Sequence, residues 1–196
     1  MCRALVKNWP KRYITFFMLN ITPNHLSVFR LCAAPVLLML LVSGHDALRW
    51  AAFALFLFLS ATDAIDGWLA RHTGTTTPLG AMLDQISDKI VMTAALLAMV
   101  ATGILNHGWV IVAFVLIARE ILVSGLREYS ARHHVAIPVS TLGKSKTFAQ
   151  FLACAFLLFP VYVAPVHMLG LFFLVLSLCL SLLSAYAYAA VLREKS

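Results

Sequence analysis

Residues 63–88 read DAIDGWLARHTGTTTPLGAMLDQISD, and they hold four of the chain's eight acidic residues: Asp63, Asp66, Asp84 and Asp88. Apolar sequence flanks them on both sides, so these carboxylates belong to hydrophobic segments. A carboxylate inside a membrane-spanning helix costs about 2.5–3.5 kcal/mol on insertion scales, and four clustered without purpose would not persist. Asp63 and Asp66 are spaced i, i+3; Asp84 and Asp88 are spaced i, i+4. Each pair therefore shares one face of a helix. The intervening HTGTTTPL is short, so the two helices form an antiparallel hairpin with two carboxylates on each wall.

The remainder of the chain identifies the medium around that hairpin. Of its 196 residues, 62% are hydrophobic and 12% charged, with a mean hydropathy of +0.90. Soluble domains are about 45–50% apolar and about 25% charged, so only lipid can take this much apolar surface. A spanning helix needs about 20 largely apolar residues, and six segments qualify, near 25–44, 47–71, 80–103, 107–131, 147–163 and 165–192. They follow one another closely, which makes one domain. The net charge of +7 is distributed unevenly. Arg3, Lys7, Lys11 and Arg12 precede the first span, and Arg71 lies between the second and third. Arg127, Arg132, Lys144 and Lys146 surround the loop between the fourth and fifth, and Arg193 and Lys195 end the chain. The opposite loops offer only Arg49. This asymmetry puts both termini in the cytoplasm.

Residues 5–17 place Leu5, Trp9, Tyr13, Phe16 and Phe17 on one helical face and Lys7, Lys11 and Arg12 elsewhere, the pattern of a helix lying on the cytoplasmic leaflet. The expectation is thus an all-α integral membrane protein: an interfacial amphipathic helix over residues 1–22, then a six-helix transmembrane domain over 23–196. Thr22-Pro23-Asn24 opens the first span. Cys2, Cys32, Cys154 and Cys179 form no CxxC pair and read as small apolar residues.

Four carboxylates held together need cations, because like charges at that range otherwise force some to protonate. Oxygen-only ligands, with no paired His or Cys beside them, suit Mg²⁺ or Mn²⁺ rather than Zn²⁺. Gly67, Ala70 and Gly80 keep bulk away from the acids. Glycine costs about 1 kcal/mol in a helix relative to alanine and allows close backbone approach to a ligand. Arg71 adds a planar cation suited to phosphate.

The pattern D-x2-D-G-x2-A-R-x8-G-x3-D-x3-D, from Asp63 to Asp88 with every fixed position filled, resembles the signature of the CDP-alcohol phosphotransferase family. The resemblance implies that Asp63, Asp66 and Asp84 hold a two-metal centre on the diphosphate of CDP-diacylglycerol. It implies that Asp88 completes the metal site and acts as general base, and that Gly67, Arg71 and Thr77 contact the CDP moiety. Residues 20–35, NITPNHLSVFRLCAAP, resemble the opening segment of the bacterial phosphatidylglycerophosphate synthases within that family, which brings Asn24 and Ser27 to the CDP-diacylglycerol site. The family usually carries Thr where Ser27 stands, so the hydroxyl is kept. Residues 119–150 are similar as well, through Arg119-Glu120, Gly125-Leu126-Arg127-Glu128 and Gly143-Lys144-Ser145-Lys146-Thr147, although an aromatic or apolar residue is commoner than Ser145. The resemblance further implies a homodimer. The basic leader runs straight into the first motif, which favours a bacterial inner membrane over a mitochondrial one.

The acceptor is read from the fourth span. Arg119, Val123 and Arg127 share a face at i, i+4, i+8, and a buried arginine needs an anion. Either Arg119 pairs with Glu120 or a motif aspartate, or it joins Arg127, Lys144 and Lys146 around a phosphorylated acceptor. Glycerol 3-phosphate fits the second reading; serine or choline would not require so many cations. Lys89, next to Asp88 but about 100° around the helix, reads as a snorkelling surface cation or as a catalytic one.

Other signals are weaker. Gly143-Lys144-Ser145 resembles the end of a phosphate-binding P-loop, but that motif's first glycine would fall on Pro138. His133-His134 in a basic loop reads as solvated. No nucleic-acid partner is expected. Three alternatives stay open: the same chemistry on phosphatidylglycerol, inositol phosphate or serine; a cation channel or transporter using the aspartates as an ion path; and a structural membrane subunit. The channel reading leaves Gly67, Ala70, Arg71 and Gly80 unexplained.

Overall fold

A chain this apolar must pair its backbone within each segment, and the helix does so locally. The computed structural model describes residues 23–73, 78–132 and 141–195, and among these it contains six helices and no strand. They are α1 (Pro23–Val42), α2 (Asp46–Thr73), α3 (Pro78–Ala101), α4 (Gly108–Arg132), α5 (Thr141–Leu157) and α6 (Ala164–Lys195). The expected interfacial helix over residues 1–22 lies outside the described residues.

Five helices match expected segments to within a few residues, but α5 does not. It begins at Thr141 rather than 147 and ends at Leu157 rather than 163. Pro160 is the reason for the early stop: it lacks an N–H and pushes Phe159 out of helical geometry. At the other end, Lys144 and Lys146 belong to the first turns of α5, not to a loop. Lysine is a good helix former, so nothing in that stretch resists the extension.

The closest helix pairings are α1 with α3 and α5 with α6; α3 also touches α2, α4 and α5, and α4 packs on α6. On α1, Ser27, Arg30, Ala34, Leu37 and Leu41 are buried at helical spacing; on α3, Ser87, Val91, Ala95 and Ala98 are. Small side chains on both stripes let the backbones approach, as in helix packing within lipid. Bulk lies outside instead. Phe114, Phe148 and Phe172 are at least 60% exposed, a surface that suits hydrocarbon and not water. Among the described residues two helices, over Gly108–Ser130 and Ala164–Tyr188, are long and apolar enough to cross a membrane, and Leu26–Val42 is a shorter apolar stretch.

Aromatic contacts fix α2 to α5. Phe56 stacks on Phe151 at 5.8 Å, and Trp50, Phe53 and Phe159 meet edge to face at 5.6–6.3 Å. The α5–α6 hairpin closes on Gly170, where an added Cβ would lie 2.7 Å from Leu157 Cγ. No side chain larger than hydrogen fits there without movement.

Candidate active site

Three helices meet at Arg30. Its guanidinium, 1% exposed, reaches from α1 into the space between α2 and α3. There Nη1 donates to Asp63 Oδ1 and Nη2 donates to Asp84 Oδ1 at 2.8 Å. Aspartates from opposite walls of the hairpin are thus joined through one planar cation. Ser27, one turn earlier on α1, is buried on the same stripe. Asp66, Gly67 and Arg71 belong to α2 and Asn24 to α1, but their side chains lie outside the described ones; Thr77 lies outside the described residues altogether.

Asp88 comes one turn after Asp84 on α3 and opens onto a cavity of about 1060 Å³ lined by residues of all six helices. All four residues expected to bind an acceptor phosphate, Arg119, Arg127, Lys144 and Lys146, line this cavity together with Asp63 and Asp88. The structure also brings in Arg30, Lys89 and Glu120. Among the described residues six cations line the cavity with three carboxylates, a balance that favours an anionic guest.

The cations are held in different ways. Arg119, 9% exposed, donates through Nε to the Ser181 carbonyl and through Nη2 to Ser184 Oγ, each at 2.9 Å, so α6 grips it directly. Its Nη1 lies 3.7 Å from Glu120 Oε2, and Lys146 Nζ donates to the same oxygen. The pairing of Arg119 with Glu120 that the sequence allows is present. Arg127 donates from Nη2 to the Tyr188 hydroxyl at 3.2 Å, with its guanidinium carbon 5.8 Å from that ring's centroid, within cation–π range. Lys89 donates to Ser124 Oγ on α4 instead of snorkelling outward. Lys144 is exposed at the rim.

Asp63 and Asp84 already grip a cationic group with carboxylate oxygens, the donor chemistry that hard divalent ions require. Among the described residues no three His, Cys, Asp or Glu side chains converge into a complete metal cage; the Asp66 carboxylate, which the reading above needs, is not among those described. Sequence reasoning missed the role of Arg30, whose aspartate partners lie 33 and 54 residues away. It also missed Ser181, Ser184 and Tyr188, which read as ordinary residues of an apolar helix.

A family model described as CDP-alcohol phosphatidyltransferase matches residues 20–183 of the chain. A CDP-diacylglycerol–glycerol-3-phosphate 3-phosphatidyltransferase of Rickettsia bellii is 37% identical over 69% of this chain and 73% of its own length. The protein of that name in Pseudomonas fluorescens is 38% identical over 69% of this chain and 71% of its own. A probable phosphatidylglycerophosphate synthase of Mycobacterium tuberculosis is 35% identical over 85% and 79%.

Proposed function

The chain belongs to the CDP-alcohol phosphatidyltransferase family, and on that premise we propose that it transfers the phosphatidyl group of CDP-diacylglycerol to glycerol 3-phosphate, giving phosphatidylglycerophosphate and CMP. The observation that carries the choice of acceptor is the excess of cations around the cavity onto which Asp88 opens. An alcohol bearing a dianionic phosphate suits that wall; serine, net neutral, or an uncharged alcohol brings no net negative charge to it.

The reaction is a substitution at the phosphorus that carries diacylglycerol. The free primary hydroxyl of glycerol 3-phosphate forms the new P–O bond, and the bond to the CMP oxygen breaks. Asp88, as general base, takes the hydroxyl proton; its carboxylate faces the cavity, as a base must to reach that proton. Asn24, Ser27, Gly67, Arg71 and Thr77 hold CDP-diacylglycerol in this reading. Arg119, Arg127, Lys144 and Lys146 provide the positive wall for the acceptor phosphate. Asp63, Asp66, Asp84 and Asp88 would hold two divalent ions, Mg²⁺ or Mn²⁺, which when bound supply charge neutralisation at the diphosphate.

The reading includes a bilayer setting: six spans, the interfacial helix over residues 1–22 ahead of the domain over 23–196, both termini and the active site cytoplasmic, a bacterial inner membrane, and a homodimer. The charge asymmetry of the loops and the bulky apolar exterior of the bundle support it. The decisive experiment supplies CDP-diacylglycerol to the detergent-solubilised chain with glycerol 3-phosphate, inositol phosphate, serine or phosphatidylglycerol, one at a time, and follows CMP release. Release is expected with glycerol 3-phosphate, and it should stop on chelation and return with Mg²⁺ or Mn²⁺. Release with another acceptor alone, or indifference to chelator, would sink the proposal.

A further inference from the structure

A cation inside a protein cavity within a bilayer needs a compensating anion, and the cations around this cavity differ in whether they have one. Arg30 bonds Asp63 and Asp84, while Lys146 and Arg119 share Glu120. Lys89 and Arg127 are different. Among the described residues neither has a carboxylate within ion-pair distance; Lys89 donates to the Ser124 hydroxyl and Arg127 to the Tyr188 hydroxyl. A neutral hydroxyl orients a cation without cancelling its charge. The Arg127 Nε is in addition buried with no hydrogen-bond partner. Ser124 and Arg127 are i, i+3 on α4 and so share a face, and Lys89 and Arg127 both line the cavity that Asp88 lines.

We propose that Lys89, together with Arg127, receives the phosphate of the acceptor alcohol, so that Lys89 is a specificity-determining residue and Ser124 the positioning residue that holds it. This rests on the reading of the cavity as an acceptor site. The ammonium has three N–H donors, and the bond to Ser124 leaves two for phosphate oxygens. Arg127 adds Nη1, whose two N–H groups extend the donor set available to the oxygens of one phosphate. Arg119 and Lys146, closed onto Glu120 and α6, shape the wall behind.

The test uses the full-length chain in detergent micelles, with steady-state kinetics for CDP-diacylglycerol, for glycerol 3-phosphate and for glycerol as the unphosphorylated acceptor. Lys89→Met should raise KM for glycerol 3-phosphate about 10- to 100-fold, the range for losing one charge-assisted hydrogen bond, while KM for CDP-diacylglycerol stays nearly constant. The preference for glycerol 3-phosphate over glycerol should fall by the same factor, and Lys89→Arg should recover most of it. Ser124→Ala keeps the charge and frees its anchor; a smaller rise in the same constant is expected, and this milder variant carries the test if Lys89→Met does not fold. An unchanged preference, or a parallel rise in both KM values, overturns the inference while leaving the function intact. Turnover by the unaltered chain with unphosphorylated alcohols alone overturns both.

Discussion

Asp88 and Arg119 both lie deep in the bundle, yet their surroundings give substitution at each a different consequence. Asp88 faces the cavity, so Asp88→Asn removes a base and a negative charge without disturbing packing. Turnover should fall by about 10²–10⁴, the usual contribution of general base catalysis, while nucleotide binding measured by equilibrium dialysis with CDP persists. Loss of that binding would recast Asp88 as chiefly a metal ligand. Arg119 is tied to the Ser181 carbonyl and Ser184 hydroxyl, so Arg119→Ala removes two buried charge-assisted hydrogen bonds at a cost of about 1–3 kcal/mol. A lower thermal midpoint is expected, with a rise in KM for glycerol 3-phosphate far larger than any in KM for CDP-diacylglycerol. Arg127→Ala should instead raise KM for the acceptor alone. Legibility in the sequence divides along the same line. The aspartates could be found because their spacing is that of a helix face. Arg30 could not, because nothing local in NHLSVFRLC says that its partners lie in two later helices.

Among the elements, α5 and α6 make the closest pair together with α1 and α3, and their hairpin depends on Gly170. In Gly170→Ala the new methyl group would meet Leu157 at its Cγ and at its backbone nitrogen, 3.2 Å away. Overpacking of this kind costs about 1–3 kcal/mol. A lower thermal midpoint with unchanged kinetic constants is the expected outcome; an unaltered midpoint would show that the hairpin yields at this point. The existence and order of the helices were readable from apolar length alone. The start of α5 was not, because the lysines that mark a cytoplasmic loop in the charge pattern are equally good helix formers. That misplacement mattered: as part of α5, Lys146 is buried against Glu120 on α4.

For the whole molecule, the six-span arrangement makes a prediction about sidedness. Asn106, between α3 and α4, and Ser145, near the start of α5, are both exposed. In a background with Cys2, Cys32, Cys154 and Cys179 replaced by alanine, Asn106→Cys should react with a membrane-impermeant maleimide added to intact cells. Ser145→Cys should react only after permeabilisation, and the reverse pattern would refute the orientation. The distribution of bulk across the bundle reaches further. Alanine at 34, 95 and 98 lies within the seam, and phenylalanine at 114, 148 and 172 faces out. What the exterior tolerates is therefore apolar exchange: swaps among large apolar residues on the rim pass unnoticed, whereas a single extra methylene at Ala34 or Ala95 wedges two helices apart beside the seam that brings Arg30 to its aspartates.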